Sequence, residues 1–230
     1  MALINDFMSL IYPRHCEACG ATLLKHEEFI CNLCLVSLPK SNYHKNLNNE
    51  LSYVFGGRIP LQNALCFYVF EKSGRVQQLL HAIKYQNQKE LAEFIGKLYA
   101  KDLMQDEVLK NVDFILPIPL HAKKLKQRGY NQSEWFAKGI ATELNLKLDS
   151  KLLKKVNSTS TQTNKKKFER WENVEGVFEL QNPNSLTNKH VLIIDDVITT
   201  GATIEAAWQA LKDVEGIKVS VLSIAFAVKN

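Results

Sequence analysis

Asp195 and Asp196 stand side by side at the end of an apolar run, Val191-Leu-Ile-Ile194, and Val197-Ile-Thr-Thr-Gly-Ala-Thr203 follows them. Four apolar residues deliver the two carboxylates to the carboxyl end of a strand, where open α/β sheets bind ligands. In a regular strand adjacent side chains point to opposite faces, so both acids reach one ligand only if the chain is already turning; the Thr-Thr-Gly-Ala-Thr segment is expected to supply that turn. Thr199, Thr200 and Thr203 offer hydroxyls and Gly201 allows close backbone approach. The next helix aims free N–H groups and its positive dipole end at the same place. A phosphate cup beside two hydroxyl acceptors suits a ribose 5-phosphate. A plain helix cap after a core strand explains one acid and one threonine, not the whole set.

A second chemical cluster is formed by Cys16, Cys19, Cys31 and Cys34, two CxxC pairs separated by eleven residues. Four thiolates in this pattern can give zinc tetrahedral sulfur ligation. A complete set of four cysteines leaves no open coordination position, so the metal is expected to be structural and to hold together a segment too short for its own core. His15 and His26 are alternative ligands, read by default as exposed loop residues. Cys66, in Ala64-Leu-Cys-Phe-Tyr-Val-Phe70, is expected to be a core residue.

The third cluster is cationic. Between His121 and Arg170 there are 13 Lys plus Arg against four acids, a surplus of nine in a chain whose total is +5. One stretch is built to meet negative charge, or else is a solvated lysine-rich surface. Within it, Arg128 beside Gly129 is the strongest candidate to neutralise a phosphate-type leaving group, because its planar head carries several donors. Lys123, Lys124 and Lys126 read as steering charges and His121 as an incidental loop residue.

These groups need a scaffold. Chain length, 230 residues with 46% hydrophobic and 23% charged, fits a globular core plus a smaller appendage and excludes a disordered or collagen-like chain. The longest apolar run, Val219 to Val228, is about half of a membrane span. With Asp6 where a signal peptide would be basic, a soluble cytoplasmic protein without a membrane span is expected. A short helix over Leu3–Ile11 and the four-cysteine segment make residues 1–39. Residues 40–60, Asn-rich with Gly56-Gly57 and Pro60, read as a connector holding one helical turn. The larger domain, 61–230, begins with a strand over Ala64–Phe70. Helices over Arg75–Tyr85 and Lys89–Met104 follow. Next come a short strand within Asp113–Leu120, a basic loop and a helix over Ser133–Leu144. The strand His190–Ile194, a helix through about Val214 and a strand over Val219–Val228 complete it. Apolar strands alternating with helices predict a parallel sheet covered on both faces. Residues 151–180 interrupt the alternation with a long polar stretch of the kind that is functional or mobile.

The run Val191 to Ile204 resembles the signature of the type I phosphoribosyltransferases: four apolar residues, two acids and a Thr/Gly-rich phosphate loop. The fold implied is an α/β, Rossmann-like parallel sheet with a small zinc-ribbon-like N-terminal segment. The resemblance implies that Asp195 and Asp196 hold the 2′ and 3′ hydroxyls of phosphoribosyl pyrophosphate, and that Val197 and the segment Thr199, Thr200, Gly201, Ala202, Thr203 grip its 5-phosphate. It also implies that Arg128 and Gly129 sit where such enzymes meet pyrophosphate, with magnesium as the companion ion.

Taken with the double CxxC, the Pro117-Ile-Pro-Leu120 run followed by Arg128-Gly-Tyr-Asn-Gln132, and the Gln162 to Phe178 stretch, the order of motifs resembles the ComF family (ComFC and GntX-like proteins) over nearly the whole chain. That family is associated with bacterial competence. The likeness implies a hood loop over 157–173 with Gln162, Arg170 and Asn173 at recurrent positions, and a recurrent position at Lys84-Tyr85. Many relatives carry arginines where this chain has Lys123, Lys124 and Lys126.

Two kinds of function remain. One is a transferase that moves ribose 5-phosphate to an acceptor with release of pyrophosphate. The other is a non-catalytic sensor, or a protein binding single-stranded DNA, a competence helicase or other DNA-processing partners through its basic stretch. Only 29 residues follow Gly201, so an acceptor is expected to meet the cysteine segment or residues 40–110.

Overall fold

The computed structural model of the chain describes residues 13–156 and 176–227. The helix expected over Leu3–Ile11 lies outside them. Cys16 and Cys19 sit in a tight turn with Gly20 at φ 77°, and Cys31 and Cys34 at the start of a short helix, α1 (Asn32–Ser37). This segment packs against the main body. Cys16, Ile30, Cys34 and Leu38 join the same core as the helices described next, the Phe29 and Phe94 rings lie 5.4 Å apart, and Gln88 donates to Glu17 at 2.9 Å.

Residues 40–60 hold a helix, α2 (Glu50–Phe55), opened by a reciprocal cap. The Asn49 side chain accepts from the Ser52 backbone and Ser52 Oγ accepts from the Asn49 backbone. Asn49 Nδ2 also donates to Ala64 O at 3.0 Å, which fastens the cap to the first strand. Leu51, Phe55 and Ile59 are buried, so this segment contributes side chains to the core.

The main body runs β1 (Leu61–Val69), α3 (Arg75–Tyr85), α4 (Lys89–Gln105), β2 (Phe114–Pro117), α5 (Ala122–Arg128), α6 (Gln132–Leu144), β3 (Lys147–Leu148), β4 (Leu153–Lys155), β5 (Phe178–Leu180), β6 (His190–Ile198), α7 (Ala202–Leu211) and β7 (Lys218–Phe226). Five strands form one parallel sheet in the order β1-β7-β6-β2-β3. Two of its interior strands, β6 and β7, carry long buried stretches, as a sheet covered on both faces requires. On one face Leu65, Phe67, Leu192, Ile194, Leu222 and Ile224 meet α3, α4 and α6. On the other, Ala64, Cys66, Val191, Ile193, Val219 and Val221 meet α2 and α7. The predicted parallel α/β architecture is the observed one.

Two sequence expectations change. The basic segment after β2 is not a loop: Ala122-Lys-Lys-Leu-Lys-Gln-Arg128 is a string of good helix formers. His121 starts it by accepting from the Lys123 backbone at 3.2 Å, and Gly129, at φ 79°, ends it. The turn expected at Asp195 also comes later, because β6 continues through Ile198. The interrupting stretch has ends pinned by an antiparallel ladder, β4 with β5, extended by a Val156 N–H bond to Val177 O at 2.9 Å. Between those ends, 157–175 lie outside the described residues.

α4 and α6 touch backbone to backbone through two glycines. A Cβ on Gly139 would stand 2.1 Å from Glu93 O, and one on Gly96 would stand 2.3 Å from Phe136 O. This close approach fixes α6, whose first turn carries a residue of the site.

Candidate ribose-phosphate site and cysteine cluster

β6 carries Asp195 and Asp196 to the carboxyl edge of the sheet while still a strand. The alternation of faces slips there: Leu192 and Ile194 belong to the α3/α4/α6 face, and so does Val197, three residues after Ile194. This slip lets adjacent acids meet helices on the same side. Ser133 Oγ, in the first turn of α6, donates to Asp195 Oδ1 at 3.2 Å, and the Asp196 N–H donates to the same oxygen at 2.8 Å. Asp196 Oδ2 lies 3.0 Å from Lys84 Nζ near the end of α3. Burial, reinforced by the neighbouring Asp196 charge, pushes the Asp195 carboxyl up to about 7.

After Ile198 the chain turns through Thr199, Thr200 and Gly201, the last at φ 80°, into α7. Asp195, Val197, Thr199, Thr200, Gly201, Ala202 and Thr203 line one concavity with Ile198 and Ile204. The helix start contributes free N–H groups and its dipole to that concavity. An anion would be met there by backbone donors and hydroxyls, with a carboxylate acceptor alongside.

Asp196, Arg128 and Gly129 lie outside that concavity's lining. Arg128 Nη1 donates to Gln132 Oε1 at 3.1 Å, and its guanidinium lies 5.4 Å from the centre of the Tyr85 ring. Tyr85 adjoins Lys84 in the chain, the residue that pairs with Asp196. Gln132 is fully buried, and its Nε2 has no hydrogen-bond partner among the described residues. Asn131 starts α6 by accepting from the Ser133 backbone and ties back to Ile118 O at 2.9 Å. The Lys123, Lys124 and Lys126 side chains are exposed. Gln162, Arg170 and Asn173 lie outside the described residues.

Sequence reasoning missed Ser133, the pairing of Lys84 with Asp196, and the contacts that Phe55 makes at Gly201 and Arg58 at Thr200 on the phosphate-type loop. Ser133 had one available signal, its place in the first turn after the Asn131 cap. The others depend on contacts between distant segments.

At the other end of the chain the four sulfurs of Cys16, Cys19, Cys31 and Cys34 lie within 4.8 Å of one another, and those of Cys19 and Cys31 are 3.8 Å apart. Two sulfurs each about 2.3 Å from a tetrahedral zinc would be separated by about 3.8 Å, so the residues fit such an ion. The Cys31 N–H lies 3.3 Å from Cys16 Sγ. Burial raises the Cys16 thiol, but N–H contacts led by Cys31 outweigh it and bring the group down to about 7, a site prepared for a thiolate.

The family described as "Phosphoribosyl transferase domain" matches residues 131–228, which include α6, the two acids and the loop before α7. The chain is therefore a protein with a phosphoribosyltransferase fold. It is 29% identical over 136 residues to DNA utilization protein YhgH of Salmonella typhimurium, a match covering 58% of this chain and 59% of that protein. It is 28% identical over 153 residues to Competence protein F of Haemophilus influenzae, covering 65% and 67%. With Competence protein ComFC of Bacillus subtilis it shares 27% identity over 213 residues, covering 90% and 81%. The chain is thus similar to competence and DNA utilization proteins of this kind, and the match spans only 59% of the length of YhgH. Among the described residues no helix is long and apolar enough to cross a membrane.

Proposed function

We propose that this chain binds phosphoribosyl pyrophosphate and acts as a magnesium-dependent phosphoribosyltransferase in the handling of incoming DNA. The observation that carries the reading is the shared concavity of Asp195 and the Thr199–Thr203 segment at the carboxyl edge of β6. A ligand with a phosphate at one end and vicinal hydroxyls at the other is complementary to that set. The loop N–H groups and hydroxyls hold the 5-phosphate, Asp195 within the concavity accepts one of the 2′ and 3′ hydroxyls, and Asp196, outside its lining, accepts the other.

Breaking the bond from ribose C1 to pyrophosphate leaves negative charge on the leaving group and an oxocarbenium-like sugar. Arg128 is the cation for the leaving group, and the buried Gln132 Nε2 beside it, without a partner among the described residues, supplies a neutral donor. Lys84 balances Asp196 until a ligand arrives. Magnesium, when bound with the substrate, would neutralise further pyrophosphate charge. Asp195, Asp196 and the ligand's own oxygens form a donor set of the hard kind that this ion takes. Gln162 and Arg170, on the stretch bounded by β4 and β5, are proposed to close over the site and keep water from the activated sugar.

The four cysteines would hold one structural zinc. The relatives' names, competence and DNA utilization proteins, support a setting in DNA uptake, in the cytoplasm where thiols stay reduced. A second reading, binding of single-stranded DNA or a DNA-processing partner without turnover, is favoured by the three exposed lysines of α5. It predicts affinity that falls steeply with salt.

The deciding experiment is calorimetric titration of phosphoribosyl pyrophosphate with Mg²⁺ into the wild-type chain and into Asp195→Ala/Asp196→Ala. Saturable binding that the variant loses is expected. Equal binding by a folded variant, or none by the wild type, overturns the assignment.

A further inference from the structure

The loop before α7 has an outer wall. A Cβ at Gly201 would stand 2.6 Å from Phe55 Cε1 and 3.2 Å from Val54 Cγ1, so the loop is pressed against α2 on the side away from its concavity. From that wall Arg58 reaches over. Nη2 donates to Thr200 O at 3.3 Å and to Val54 O, and Nη1 lies 2.7 Å from Glu205 Oε1.

We infer that Arg58 is a positioning residue that orients the Thr200–Gly201 peptide and neutralises Glu205, so that the loop presents donors to a phosphate. The inference rests on the ribose-phosphate reading of the same loop. In a trans peptide the C=O and the next N–H point in opposite directions. With the Thr200 carbonyl held outward by Arg58, the Gly201 N–H is turned inward, toward the side where Thr199, Ala202 and Thr203 line the concavity. A flipped peptide would instead aim a carbonyl oxygen at the anion.

The second effect is electrostatic. Glu205 lies in the first turn of α7, where an acid interacts favourably with the helix dipole and occupies the very field an incoming phosphate needs. The guanidinium at 2.7 Å cancels that charge from outside while leaving the loop open within. α2, from which the wall is built, is opened by its reciprocal Asn49–Ser52 cap and tied to β1 through Ala64 O.

The test uses the full chain and two readouts. In ligand-free protein, the Gly201 and Ala202 amide signals in ¹⁵N NMR should move in Arg58→Ala and return toward wild type in Arg58→Lys. In calorimetry, Arg58→Ala should bind ribose 5-phosphate about 10- to 100-fold more weakly than wild type, the size expected from losing hydrogen bonds to a charged group. Glu205→Gln in the same background should recover part of the loss. Unchanged amide signals in a folded Arg58→Ala chain would overturn the peptide-orienting role. Unchanged ribose 5-phosphate affinity would overturn the effect on phosphate binding. Absence of ribose 5-phosphate binding by the wild type would instead overturn the underlying site assignment, with the amide comparison still deciding what Arg58 does to the loop.

Discussion

The Lys84 ammonium stands 3.0 Å from Asp196 Oδ2, with 23% of the lysine side chain and 15% of the aspartate side chain exposed. A helix ending at Tyr85 thus supplies the cation for one of two adjacent carboxylates on a strand much later in the chain. The same charge acts on Asp195, where it opposes the effects of burial and of Asp196.

Removing that cation leaves two neighbouring carboxylates with less compensation. Lys84→Met is expected to lower unfolding free energy by about 1–2 kcal/mol, between the values for exposed and buried pairs. It should also raise the Asp195 pKa further above about 7. Denaturant melts and a carbon-13 carboxyl titration check the two effects separately.

Asp195 gives the fold a pH dependence opposite to that of a carboxylate in an ion pair. Its folded pKa of about 7 lies above the ordinary 3.8, so between those values the folded chain holds a proton the unfolded chain has lost. Its contribution to stability is therefore present below about pH 4 and is lost as pH rises toward 7. Asp195→Asn should flatten this part of the stability profile between pH 4 and 8, as measured by denaturant midpoints. An identical slope in the variant would show that other groups set it.

Replacing Gly139 tests the packing beneath the site. The new methyl would meet the Glu93 carbonyl at 2.1 Å, and backbone cannot swing aside as a side chain can. Gly139→Ala should cost about 3 kcal/mol, the upper end for overpacking. By displacing α6 it should also loosen the Ser133 hydrogen bond to Asp195. Thermal unfolding and ligand titration on the same sample separate stability from site geometry.

The cysteine cluster makes a compositional prediction. Metal analysis of protein purified without chelator should find about one zinc per chain. Cys34→Ala, which removes a fully buried ligand, should abolish it. Because Cys16, Ile30 and Leu38 share a core with α3 and α4, the metal-free variant should also unfold at lower temperature. Equal melting temperatures would detach that segment from the stability of the main body.

Much of the scaffold was legible in the residue pattern. The helix over Arg75–Tyr85 carries apolar residues at three and four spacing along the face that is buried, and β6 and β7 announce themselves as largely apolar runs. α5 escaped because its lysines suggested a solvated loop. Their helix-forming propensity and the His121 cap decided otherwise. The Asn- and Gly-rich flanks of α2 suggest a single turn within a connector, yet those same residues cap and release a helix whose Leu51 and Phe55 are buried.

At the site, the acids and the Thr/Gly segment could be found because their neighbours in sequence are also their neighbours in space. Ser133 could not be paired with Asp195 that way, since 62 residues separate them. Nor could Arg58 be paired with Thr200, 142 residues away. Sequence by itself determined the local chemistry: four thiols in two knuckles, an apolar run leading into two carboxylates, and a loop that opens a helix. Tertiary structure alone decided which charges face those carboxylates, how the strand's slip turns both toward one layer, and what stands behind the loop. Hydrophobic periodicity specifies which face of an element is buried, but contacts across a sheet edge follow only once strand order and helix crossings are set.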